Sequence, residues 1–176
     1  AGKTPYSRFG DGRAVIRSSV REHLCGEAMF GLGIPSSRSL MLFGSNEPVM
    51  REETDRGAMI VRTAKTHIRF GHFEYFHHNK IADGVKTLLD HVIDCYYPDT
   101  KQDSDKYLLF FDETIKKSAC MVSAWQSVGF NHGVMNTDNM SILGETFDYG
   151  PYAFMETYNP NYICNHTDSQ GRYSFS

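Results

Sequence analysis

The stretch HGVMNTDNMSILGETFDYG, His132 to Gly150, decides how this chain is read. Asn139 comes seven residues after His132, and Asp148 comes nine after Asn139. Both carry hard oxygen donors. A small divalent cation takes such ligands from one or two side chains and fills its shell with phosphate oxygens and water. MSILGETFDYG reads as a short hairpin with Gly144-Glu145 at its turn. A hairpin brings its end back to its start, so Asn139 and Asp148 are expected to share one cation. Asp138 is the nearest spare carboxylate. Presented to the same place, it would accept a proton from a hydroxyl group. The alternative is a plain turn, because Asp and Asn bond to their own backbone in turns.

The spacing is that of the catalytic half of a protein kinase with one residue changed. The kinase loop reads H-R-D-x-x-x-x-N, and D-F-G follows it. Two residues after His132, where the kinase base belongs, stands Val134. Valine cannot accept a proton, so any base must come from elsewhere, and Asp138 is the candidate.

The rest of the chain supplies the order of elements around that loop. The opening through Gly12 is turn-rich. From Ala14 to about Leu32, Ile16, Val20, Leu24 and Met29 fall near one helical face, and Gly33 and Pro35 end the helix. SLMLFG and AMIVRTA read as strands, with NEPVMREETDRG between them as a strand and turn. THIRFGHFEYFHH is at least partly helical, and IADGVKTLLDHVIDCYY is helical up to Pro98. Asp105 to about Phe130 forms a long amphipathic helix, with Leu108, Phe111, Ile115, Ala119, Val122, Trp125 and Val128 in steps of three and four. The expected class is α+β, in the order of a protein-kinase-like fold from its αC-type helix onward.

Composition narrows the partners. The chain has 176 residues, 40% hydrophobic and 13% aromatic, which suits one globular domain. A net charge of -3 argues against a nucleic-acid binder, which usually carries a basic face. No apolar run approaches the roughly 20 residues of a membrane helix. The chain opens without Met and is expected to be an excerpt of a longer protein, with residues 1–176 a partial catalytic domain. Cys25, Cys95, Cys120 and Cys164 form no C-x-x-C pair and read as buried thiols in a reducing cytosol, Cys25 and Cys120 in apolar helical contexts.

Other candidates are weaker taken singly. Asp11 and Gly12, in FGDGR ahead of a helix, form a loop that can lend N–H groups to an anion, or a plain tight turn. Glu22 lies mid-helix, where a kinase-like fold keeps a Glu that pairs with a phosphate-binding Lys; by itself it is a solvated-face residue. Arg62 and Arg69 suit phosphate oxygens, or are ordinary surface cations. His67, His72, His77 and His78 lack any H-E-x-x-H pattern and read as surface or partly packed histidines.

Together, TPYSRFGDGRAVIRSSVREHLCGEAM, THIRFGHFEYF, WQSVGFNHGVMNTDNMSILGETFDYGPYAFM and ICNHTD resemble the selenoprotein O (YdiU-type) family. The resemblance spans nearly the whole chain and is weakest from Lys80 to Lys117. It implies a kinase-like protein adenylyltransferase that binds ATP in a flipped orientation with Mg2+ or Mn2+. AMP would pass to Ser, Thr or Tyr hydroxyls of proteins, and pyrophosphate would leave. It also implies Asp138 as the acid-base residue and Asn139 and Asp148 as metal ligands. Asp11 and Gly12 would contact the nucleotide, Arg62 and Arg69 would hold its far phosphates, and Glu22 would partner the phosphate-binding Lys. That Lys and the glycine-rich loop are expected upstream of Ala1, and the family's redox-active Cys or selenocysteine beyond Ser176, so the excerpt alone is expected to be inactive. A monomer is expected, with protein substrates and neither nucleic acid nor membrane as partner. The location would be cytoplasmic in a bacterium and mitochondrial in a eukaryote. Two other readings are a phosphotransferase, opposed by Val134, and a nucleotide-binding pseudoenzyme acting through partners, opposed by the intact Asn139 and Asp148.

Overall fold

A computed structural model describes residues 2–4, 7 and 9–176 of the protein. The parts of the turn-rich opening at residues 1, 5, 6 and 8 lie outside them. The architecture is α+β, and the chain divides into two compact units. The first holds Ala1–Lys65 and Asp148–Gly150; the second holds Thr66–Phe147 and Pro151–Ser176.

The first unit begins with β1 (Ala14–Val15) and α1 (Ile16–Gly31), followed by β2 (Arg38–Met50) and β3 (Thr54–Thr63). The strands form an antiparallel sheet in the order β1-β3-β2. NEPVMREETDRG does not hold a separate strand. β2 runs on through an irregularity between Gly44 and Pro48 as far as Met50. Proline has no N–H for a ladder, and on this outer strand it sits beside the irregularity. α1 ends as expected: Gly33 takes a φ of 76°, and Ile34 N–H donates to Met29 O at 3.0 Å. Its buried face is Ser19, Cys25, Gly26 and Met29, while Leu24 is 59% exposed. The expected row was therefore right only at Met29 for burial. Apolar residues on several faces of α1 made more than one row possible.

The second unit holds α2 (Phe70–His78), α3 (Gly84–Tyr96), α4 (Lys106–Ser127), and the pair β4 (Phe130–Asn131) and β5 (Ala153–Phe154). Val92, Ile93, Tyr97, Phe110 and Ile142 form one core cluster, in which the Tyr97 and Phe110 rings meet edge to face. α4 buries Phe110, Thr114, Met121 and Trp125; Leu108, Phe111 and Ile115 face solvent. Periodicity identified the helix, and its expected stripe is buried at Trp125 but not at Leu108, Phe111 and Ile115, because α4 is apolar on more than one face. Cys25 is buried as expected, whereas Cys95 and Cys120 are exposed and Cys164 is half-buried; none of the four is in a disulfide.

The hairpin expected over residues 140–150 is a correction. Among the described residues, no strand lies there. Phe70 N–H donates to Met140 O at 3.2 Å and Ile142 N–H to Ile68 O at 3.1 Å, with an isolated bridge between Arg69 and Ser141. The backbone groups that would have built a hairpin are thus spent on the segment before α2. A turn over Ile142-Leu143 follows, closed by Gly144 N–H to Ser141 O at 3.3 Å. Ile142 and Phe147 are both drawn into the core, and the chain follows those anchors. No helix among the described residues is long and apolar enough to cross a membrane.

Candidate functional site

In the second unit, the loop after β4 is built around a buried histidine. His132 stacks on Trp125 with ring centroids 5.2 Å apart, and its Nε2–H donates to Phe147 O at 2.9 Å. Trp125 Nε1–H in turn donates to Thr146 Oγ1 at 2.8 Å. His132 therefore ties the start of the catalytic-type loop to its end and touches no solvent. Gly133 has a φ of 76°, and a Cβ there would lie 2.5 Å from Cys164 Sγ. Asn165 Nδ2 donates to Gly133 O at 3.1 Å, so the ICNHTD segment braces the loop from behind.

Beyond this brace, Thr137–Asn139 forms one turn of 3-10 helix. Asn139 Nδ2 donates to Val134 O at 3.1 Å. That bond fixes the amide and turns Oδ1 to the role of acceptor or ligand. Val134 thus contributes a backbone carbonyl where a kinase would supply a carboxylate. Asp138 is partly exposed. Its own carbonyl accepts Arg69 Nη1–H at 2.6 Å, and the Arg69 guanidinium lies 4.6 Å over the Phe147 ring. Arg69 is thus built into the wall that supports Asp138.

In the first unit, Arg62 on β3 is the electrostatic centre. It pairs with Glu22 of α1 and donates to Asp148 Oδ1 at 2.5 Å. Burial works against the Arg62 charge, but the Glu22 and Asp148 carboxylates outweigh it and raise its pKa above the ordinary value. Asp148 holds a left-handed backbone, φ 60°, which Asp tolerates better than most residues. The residue after it is the anchor. Tyr149 is buried, its hydroxyl bonds Ser36 Oγ, and its ring lies under Gly26, where an added Cβ would come 3.7 Å from Cε2. Glu22 therefore partners Arg62 here, an ion pair that the expected Glu–Lys pairing did not anticipate.

Asp11 and Gly12 line an open cleft of about 840 Å³ in the same unit. Gly12 has a φ of 69°, and a side chain there would collide with the backbone of Gly2 and Lys3. The Asp11 carboxylate is held by Arg51, Nη1 to Oδ2 at 2.9 Å and Nη2 to Oδ1 at 3.0 Å, and accepts Arg13 N–H at 3.0 Å. Its side chain thus secures the loop. Arg51 gave no motif in the sequence; it follows the end of β2, and only its hydrogen bonds in the fold show that it reaches back to the loop.

The Arg51 hydrogen bond, helped by Arg13 N–H, lowers the Asp11 pKa from 3.8 to about 2. A lowered carboxylate pKa stabilises the folded loop at pH values above 3.8, and that contribution is lost as pH falls through about 2. A carboxyl-carbon NMR titration should find the Asp11 midpoint near 2, moving up in Arg51→Ala. A midpoint near 3.8 in the unaltered chain would break the clamp.

All of residues 1–176 match the family model described as Protein adenylyltransferase SelO. The chain belongs to the SelO family. It is 59% identical over 175 residues to the Protein nucleotidyltransferase YdiU of Vibrio cholerae serotype O1, and 58% identical over 175 residues to that of Erwinia tasmaniensis. Against the same-named protein of Pseudomonas fluorescens (strain SBW25), identity is 55% over 176 residues. These alignments cover 99%, 99% and 100% of this chain, but 36% of each relative. The SelO segment therefore spans about a third of the length of these relatives.

Proposed function

We propose that this chain is part of the kinase-like catalytic domain of a protein adenylyltransferase. The observation that carries the reading is the Thr137–Asn139 turn. It puts a partly exposed carboxylate, Asp138, beside an Asn whose amide nitrogen is tied to Val134 O, which leaves its Oδ1 as a hard oxygen donor. In this reading Asp138 takes the proton of a protein Ser, Thr or Tyr hydroxyl. The hydroxyl oxygen bonds to the α-phosphorus of ATP, the bond from that phosphorus to the bridging oxygen breaks, and pyrophosphate leaves.

The donor set fits Mg2+ or Mn2+: an amide oxygen from Asn139 and a carboxylate from Asp148 are hard ligands, few enough to leave room for phosphate oxygens and water. When bound, such a cation neutralises phosphate charge. Arg62 and Arg69 would add to that neutralisation, with Glu22 orienting Arg62. Asp11 and Gly12 would shape the loop that meets the nucleotide through its backbone.

The test uses the full-length Vibrio cholerae relative with this segment in place of its own, and a protein acceptor that the unaltered relative modifies. Label from the α-phosphate of ATP should appear in the acceptor, and label from the γ-phosphate should not. Label from the γ position alone would make the protein a phosphotransferase and end the flipped-nucleotide reading. Label from neither, with the unaltered relative active in parallel, would favour a nucleotide-binding pseudoenzyme.

A further inference from the structure

We infer that Gly71, in the first turn of α2, is a positioning residue that sets the direction of the Asp138 carboxylate. The inference rests on the proposed role of Asp138. A Cβ on Gly71 would overlap Asp138 Oδ1 and lie 3.3 Å from both its Cα and its Cγ. The carboxylate therefore occupies the space that every other residue type would fill at position 71. It also lies against the N-terminal turn of a helix, where backbone dipoles favour negative charge.

The backbone on both sides is held in place. Thr137 Oγ1 bonds Glu74 Oε2 of α2, Arg69 Nη1 donates to Asp138 O at 2.6 Å, and Phe70 N–H donates to Met140 O at 3.2 Å. Ser141 bridges Arg69. Residues 137 to 141 are thus stitched to residues 69 to 74 on either side of Asp138. A methyl group at position 71 cannot push the loop away without breaking these bonds. The severe overlap is with Oδ1, the far end of a short rotor, so the Asp138 side chain rotates while its Cα gives by a few tenths of an ångström. Gly71→Ala should therefore keep the fold and misdirect the carboxylate.

That outcome is the reverse of what a merely structural glycine would give. In the grafted full-length protein, Gly71→Ala should lower kcat for adenylyl transfer about 100-fold, the scale of a misplacement of about 1 Å. KM for ATP and the melting temperature should stay close to those of the parent. Added to Asp138→Ala, the same change should cost nothing further, since residues that act as one unit are not additive. In the 176-residue chain, the Asp138 carboxyl-carbon resonance should move on Gly71→Ala. Full turnover of Gly71→Ala, an unmoved resonance, or a further loss on top of Asp138→Ala would each overturn the inference. If Gly71→Ala does not fold, Gly71→Ala with Asp138→Gly should restore folding by removing the overlapping atoms; failure to do so also overturns it. If the graft carries no α-label but the resonance moves, the contact stands and the proposed function falls.

Discussion

Asp138→Ala is expected to lower adenylyl transfer by about 10² to 10⁴-fold, the usual contribution of a general base. Nucleotide affinity should hardly change. The reason lies in how Asp138 is built into the loop. Its backbone carbonyl accepts Arg69 Nη1–H, and alanine keeps that carbonyl. The Asn139 amide still reaches Val134 O, and Asn139 N–H still reaches Asn136 O at 3.0 Å. The 3-10 turn therefore survives, and with it the proposed ligand Asn139. The variant removes the proposed proton acceptor and keeps these backbone bonds. Single-turnover rates with α-labelled ATP give the first quantity, and calorimetric titration with ATP and Mg2+ gives the second. A variant that keeps the parent rate would mean that the base is another group. One that loses rate and affinity together would make Asp138 part of the binding site instead.

Much of this arrangement was legible in the sequence, for reasons that differ by element. The spacing from His132 through Asn139 to Asp148 is local chemistry, and the structure gives these residues definite settings. Helices α1 to α4 were legible because apolar residues recur at helical steps. Their buried faces were not. α4 buries Phe110, Thr114, Met121 and Trp125, whereas the expected stripe ran through Leu108, Phe111 and Ile115 to Trp125, and only packing distinguishes the two. The false hairpin over residues 140–150 has a similar cause. A Gly-Glu pair between two apolar runs is a turn signal, but it cannot reveal that Ile68 and Phe70 claim the backbone partners first. Arg51, Tyr149 and Gly71 were missed as contributors because each acts across the fold. No spacing rule joins Arg51 to Asp11, Tyr149 to Ser36, or Gly71 to Asp138.

Asp148→Asn is the sharper test of the metal assignment. It is expected to reduce transfer about 10³-fold, the scale of losing a metal ion's charge stabilisation, several kcal/mol. Asparagine nearly matches aspartate in shape and also tolerates the left-handed backbone that Asp148 adopts at φ 60°. Its carbonyl oxygen can still accept Arg62 Nη1–H, and Arg62 keeps Glu22 as its charged partner. Toward Arg62, what is lost is charge assistance to a hydrogen bond between side chains that are about a fifth exposed, on the order of 1 kcal/mol. What is lost toward a cation is the formal negative charge of the proposed site's only carboxylate ligand. The two losses separate in a thermal-shift series in the grafted full-length protein. ATP at 100 times its dissociation constant stabilises a folded protein by about 2.7 kcal/mol, and a cation that tightens ATP binding adds to that shift. The parent should gain a further shift when Mg2+ or Mn2+ joins ATP. Asp148→Asn should melt within a few degrees of the parent without ligand, yet gain nothing from the metal. A variant that retains the metal increment would free Asp148 from the cation and leave it as an ion-pair partner of Arg62. One that melts far lower without ligand would show that the Arg62 pair is chiefly structural.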